Sequence, residues 1–202
     1  MNSEAFSFSF LNSLTKLASD DLFVYTAIPN KSWRSVRKHG LLSAEGVVKN
    51  KRLLALARPQ ESDRQALVDR VSSNVNDPIV KGPSVFFGKP DMSKIGPNHY
   101  IRKWNTQPAQ INLSALLRDD SSTKIHGFEL TPHHESKKPM DKERFLTVDD
   151  VRRYTKMSPK ELWAHNNDVS NSYYAADVPH AAIITKDGKI PAKYVKRLST
   201  WQ

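Results

Sequence analysis

Apolar positions in this chain fall into short blocks cut by Pro, Gly and charged residues, and the period inside each block predicts an element. "DLFVYTAI" at 21 to 28 is dense in β-branched and aromatic side chains and stops at Pro29, which predicts a buried first strand. In "NKSWRSVRKHG", Asn30 or Ser32 can cap a helix whose apolar face is Trp33 and Val36, extended by Leu41, with Gly40 placed to end it. "SAEGVVKNKRLLALARP" predicts a second helix over about 44 to 57 closed by Pro59, and "ESDRQALVDRVSSNV" a third whose Ser62 and Gln65 have capping-box spacing. "KGPSVFFGKPDM" at 81 to 92 sets a short apolar run between breakers, as a brief central strand requires.

Further on, "PAQINLSALLRDD" predicts a strand around 109 to 113 followed by a turn of helix, and "KIHGFELTP" at 124 to 132 alternates as a strand that Pro132 ends. The polar stretch 133 to 145 has no period and is expected to be an exposed loop. Two capped helices follow, "TVDDVRRYTKM" with Thr147 and Asp150, and "SPKELWAHNN" with Ser158, Pro159 and Glu161. "AAIIT" at 181 to 185 predicts the last strand, Asp187-Gly188 a tight turn, and "IPAKYVKRL" a segment that packs back. Elements that interleave early and segregate late favour an α+β domain with a mixed sheet, taken as a single domain over 1 to 202 with a helical or flexible extension at 1 to 20.

Composition narrows the class. With 38% hydrophobic and 26% charged residues, and no apolar run near the roughly 20 residues that cross a bilayer, the expectation is a soluble globular protein. The N-terminus lacks the pattern of a secretory signal, so a cytoplasmic location is expected. The absence of cysteine excludes disulfides, thiolate zinc sites and a cysteine nucleophile. A net charge of +10 makes nucleic acid the first partner to consider, against the plainer reading that the charge only maintains solubility.

Motifs are sparse. His133, His134 and Glu135 are adjacent without metal-ligand spacing, no phosphate-binding glycine loop or GxSxG elbow occurs, and the pairs Asp119-Asp120 and Asp149-Asp150 abut predicted helix ends. Aromatics among basic residues say more. Trp33 with Arg34, Arg37 and Lys38, and Tyr100 with Arg102, Lys103 and Trp104, could stack on bases and neutralise phosphates; alternatively the tryptophans anchor the core under Arg and Lys stems.

Three segments in order, "FVYTAIPNKSWRSVRKHGLLS", "KGPSVFFGKPDM" and "AAIITKDGKIPAKYVKRL", together about a quarter of the chain, resemble the scaffold of the ADP-ribosyltransferases, especially the DarT-type enzymes that modify DNA. The resemblance implies a mixed, largely antiparallel split sheet flanked by helices, with NAD held in the cleft. It would place Tyr25 and Thr26 at the start of the site, Phe86 or Phe87 against the nicotinamide ring, and Arg52 or Arg58 at the pyrophosphate. That family usually has histidine where Thr26 stands and its catalytic glutamate where this chain has Ala181 or Ala182. His180 or Asp177 could take over as general base or charge partner, Glu129 could supply the carboxylate from a neighbouring strand, or the cleft could serve binding alone. His180 also has a plain reading as a strand-edge residue. Two other functions compete with a toxin-like transferase acting on nucleic acid: a non-enzymatic basic nucleic-acid-binding module, and an effector or inhibitor that docks on an acidic protein.

Overall fold

A computed structural model describes residues 22–88, 100–103, 105–128, 143–158 and 180–200. The first strand, β1 (Phe23–Pro29), buries every second residue, with Val24, Thr26 and Ile28 inward. A 3-10 turn (Asn30–Ser32) leads to α1 (Trp33–His39). Gly40 ends that helix at a φ of 82°, a conformation open to glycine, and its N–H bonds back to the Val36 carbonyl. β2 (Leu41–Leu42) follows.

The single helix expected over 44 to 57 is two, α2 (Ala44–Val48) and α3 (Lys51–Ala57), because the Asn50 side chain accepts the Leu53 N–H and restarts the helix. The predicted box at Ser62 and Gln65 does not form. α4 (Glu61–Ser73) begins one residue before Ser62, and the Gln65 amide donates to Asp69 instead. α5 (Pro78–Lys81), β3 (Ser84–Phe86), α6 (Tyr100–Lys103), β4 (Thr106–Asn112) and α7 (Leu113–Asp119) come next.

β5 (Lys124–Phe128) pairs with β6 (Glu143–Leu146), so the last residues of the loop expected at 133 to 145 are strand. The charges at 141 to 144 hide that strand's alternation; 133 to 142 lie outside the described residues. α8 (Val148–Lys156) starts on the predicted box: Thr147 Oγ1 accepts the Asp150 N–H, and the Thr147 N–H donates to Asp150 Oδ2. The helix expected after Ser158, and the extension at 1 to 20, also fall outside the described residues. The chain closes with β7 (His180–Ile184), β8 (Lys189–Ile190), a 3-10 turn (Ala192–Tyr194) and β9 (Val195–Arg197).

Seven strands form one sheet in the order β6-β5-β7-β3-β1-β4-β9, and β2 with β8 forms a second. Every pairing among the described strands is antiparallel. The class is α+β, as expected. The Asp187-Gly188 turn forms, with Gly188 at a φ of 63°, but it returns β8 to β2 and not to β7.

Val24, Val85 and Ile183 of the sheet meet Leu113 and Leu116 of α7 and Val151 and Tyr154 of α8, with Phe87 packed on the Tyr154 ring at 5.1 Å. Each large apolar side chain sealed this way contributes about 1.5–3 kcal/mol. A smaller cluster of Ile28, Trp33, Val36 and Ala109 holds α1 to the other end of β1. Among the described residues no helix is long and apolar enough to cross a membrane.

Candidate functional site

The opening strand, the strand bearing the phenylalanine pair and the last long strand lie side by side as β1, β3 and β7. Tyr25 pairs with Phe86, and Phe86 with His180, so these three backbone positions form one row across the sheet. On one flank β1 pairs with β4 from Phe23 to Pro29; on the other it meets β3 at a single register position. Past that position the strands part. The Ser84 carbonyl, which faces β1, takes the Thr26 hydroxyl at 2.9 Å where a closed ladder would offer a backbone N–H. Pro83 and the buried Gly82 stop β3 from running further.

The parting opens a cavity of about 350 Å³ between β1, β3 and the helical layer α1 to α4. Its walls are mostly apolar: Ile28, Val36, Leu41, Val47, Leu53, Leu56 and Phe86. Polar groups are few and placed. Thr26, Ser32, Ser35 and Ser84 are among the lining residues, as are Arg58 and Arg70 from the α3 and α4 side, the Arg58 guanidinium donating to the Ala57 carbonyl. No carboxylate lines it among the described residues. Apolar walls with a few convergent polar groups are the usual make-up of a small-molecule site.

Positive charge concentrates in the first three helices of that layer. Between 30 and 58 the chain carries Lys31, Arg34, Arg37, Lys38, Lys49, Lys51, Arg52 and Arg58 against Glu45 alone. The Glu45 carboxyl is held below its usual range, chiefly by the 2.6 Å hydrogen bond from Lys49 Nζ, with slight burial opposing and the charges of Lys49 and Lys81 assisting. It therefore remains ionised and paired, and the surrounding cations set the field at the cavity.

The residues singled out from the sequence divide. Thr26, Phe86 and Arg58 reach the cavity wall. Tyr25 is half-buried against the main core, Arg52 is exposed on α3 away from the wall, and Phe87 is sealed against Tyr154, where no cofactor ring can reach it. Both rings are buried in the main core, Phe86 bordering the cavity and Phe87 packing on Tyr154.

The Trp33 indole is not an exposed platform for bases. It is 5% exposed, packed on Ile28 and Val36 beneath the Arg197 guanidinium. Arg34, Arg37 and Lys38 stand exposed on α1, and Arg102 is exposed on α6. Glu129 and Trp104 lie outside the described residues, as do the side chains of Lys103 and His180.

Sequence reasoning missed Ser32 and Ser35 as wall residues, and Arg70. The serines carried a signal in their i, i+3 spacing beside Val36 on α1; Arg70 reaches the cavity only through the tertiary packing of α4.

No protein-family model matches the chain, and no curated protein matches it. Among solved structures, Thermosipho africanus DarTG in complex with ADP-ribose is similar over 86% of this chain and 42% of that one, with a TM-score of 0.44 and 10% identity. The chain thus spans less than half of that protein's length. A likeness so distant transfers neither ligand nor chemistry, and both must be argued from the cavity itself.

Proposed function

We propose that the cavity between β1 and β3 binds NAD or a related phosphorylated ribose. The observation that carries this reading is the pairing of an apolar wall with two guanidinium groups in a hollow bordered by no described carboxylate. A planar guanidinium meets a phosphate with two parallel hydrogen bonds, so Arg58 and Arg70 suit a pyrophosphate. Phe86 offers an aromatic wall for a base or nicotinamide ring, and Thr26, its hydroxyl donated to the Ser84 carbonyl, lines the same space. The volume falls in the lower part of the roughly 300–1,000 Å³ range of ligand pockets.

NAD would supply the group to be transferred. In that reaction the bond between the ribose anomeric carbon and nicotinamide breaks, nicotinamide leaves with the electron pair, and an acceptor nucleophile takes its place as it loses a proton. His180 and Glu129 are the residues we assign to receive that proton or to balance the developing positive charge. The acceptor in this reading is a nucleic acid, drawn by the cations of α1 and α3.

Calorimetry with NAD and with ADP-ribose tests the binding. Heat and a rise in melting temperature are expected; neither at millimolar ligand removes the reading. Arg58→Ala and Arg70→Ala should each weaken binding by roughly ten- to a hundredfold, the range for losing a charge-assisted hydrogen bond. His180→Ala and Glu129→Gln should leave binding intact while reducing nicotinamide release.

The exposure of Arg34, Arg37, Lys38 and Arg52 favours a second reading, a non-enzymatic nucleic-acid-binding module. Affinity for an oligonucleotide should then fall steeply with salt and be indifferent to NAD, and a flat salt response would exclude it.

A further inference from the structure

Two hydroxyls on the cavity wall make no hydrogen bond among the described residues. Ser32 stands immediately before α1, where a serine ordinarily caps, yet its side chain makes no capping bond and its Oγ is buried without a hydrogen-bond partner. Ser35 lies three residues on, on the same side of the helix, with its Cβ about 5–6 Å away by helix geometry. It lines the same cavity and makes no side-chain hydrogen bond among the described residues. The shortfall is local: Asn30 Oδ1 and Trp33 Nε1, on either side of Ser32, are also buried and unpartnered. Nearly all buried polar groups find partners in folded proteins; of these atoms the Ser32 hydroxyl is the one on the cavity wall, and a buried group left open there points to something that enters it.

The chemistry of that visitor follows from the groups. Ser32 and Ser35 are uncharged, and each hydroxyl both donates and accepts. Arg58 and Arg70 approach from α3 and α4, so anionic groups are satisfied elsewhere on the wall. What suits the α1 side is a neutral pair of groups that likewise donate and accept. We infer that Ser32 and Ser35 read the vicinal diol of a ribose, an inference that rests on the cavity taking a phosphorylated ribose at all.

The test compares ribose 5-phosphate with 2-deoxyribose 5-phosphate by saturation-transfer NMR titration, alongside NAD calorimetry and thermal melts. Wild-type protein should prefer the ribose form by roughly three- to tenfold, the worth of one hydrogen bond to a neutral group. Ser32→Ala and Ser35→Ala should each bring that ratio toward one while leaving affinity for inorganic phosphate unchanged. The melting temperature of Ser32→Ala should hold or rise, because the lost hydroxyl had no partner.

Equal binding of the two sugars by wild type, or a preference that survives both substitutions, overturns the diol inference and leaves the cavity reading standing. A drop in melting temperature of Ser32→Ala with the preference intact identifies an ordered water as the missing partner and likewise overturns it. Failure of wild type to bind NAD or either sugar phosphate removes the cavity reading and this inference together.

Discussion

The two flanks of β1 are built to different ends. Toward β4 it pairs along its whole length, and Val24 near its start is sealed in one core with Leu113, Leu116, Val151 and Tyr154. Toward β3 it pairs at one position and then parts, and the helices that cover the gap bring Ser32, Ser35, Arg58 and Arg70 among their aliphatic residues. One strand thus serves as core at Val24 and as cavity wall from Thr26 to Pro29. The sealed side should govern stability and the open side binding, so substitutions on the two sides should dissociate the two properties.

Tyr154→Ala should break that division most severely. It removes a fully buried ring from the contact with Phe87 and should cost about 3–5 kcal/mol in urea unfolding, a large share of the roughly 5–15 kcal/mol that holds a domain. Gly40→Ala probes the open side: the residue has φ 82°, and an added Cβ would sit 2.5 Å from the Ile190 carbonyl oxygen. A loss of about 1–3 kcal/mol is expected, with hydrogen exchange rising first at Leu41, Leu42 and Ile190.

Asp150 gives the sealed side an acid limit. Burial raises its pKa, but hydrogen bonds from Arg144 and Thr147 outweigh that and bring it to about 2, below the ordinary 3.8. Because the folded value is the lower one, its contribution is present above about pH 4 and disappears as pH falls toward 2, a change of about 1–2 kcal/mol. Asp150→Asn should flatten the stability profile over that window; an unchanged profile would show that the capping box carries no linkage. Smallest of all, Lys49→Ala removes an exposed pair with Glu45 and should shift stability by no more than about 0.5 kcal/mol.

Much of this arrangement was legible where local chemistry decides it. Gly40, the Thr147–Asp150 box and the Asp187-Gly188 turn act within a few residues, and each forms. The break at Asn50 went unread because the apolar pattern continues across it, while only the cap reveals the restart. β6 was missed because its partner supplies its reason to exist.

Thr26, Phe86 and Arg58, singled out from the sequence, all line the cavity, but which of two neighbouring phenylalanines borders it depends on register, and register belongs to the strand pairing. Trp33 illustrates the same limit in a helix. Its basic neighbours left a stacking platform and a core anchor both open, and packing against Ile28 decides for the anchor.

The short β2–β8 ladder ties Leu41 and Leu42, two residues of the cavity wall, to Lys189 and Ile190, far along the chain. During synthesis the pocket therefore cannot close until position 190 has left the ribosome, although nearly all its lining is translated much earlier. A nascent chain paused before that point would hold an unfinished hollow with its aliphatic side chains uncovered.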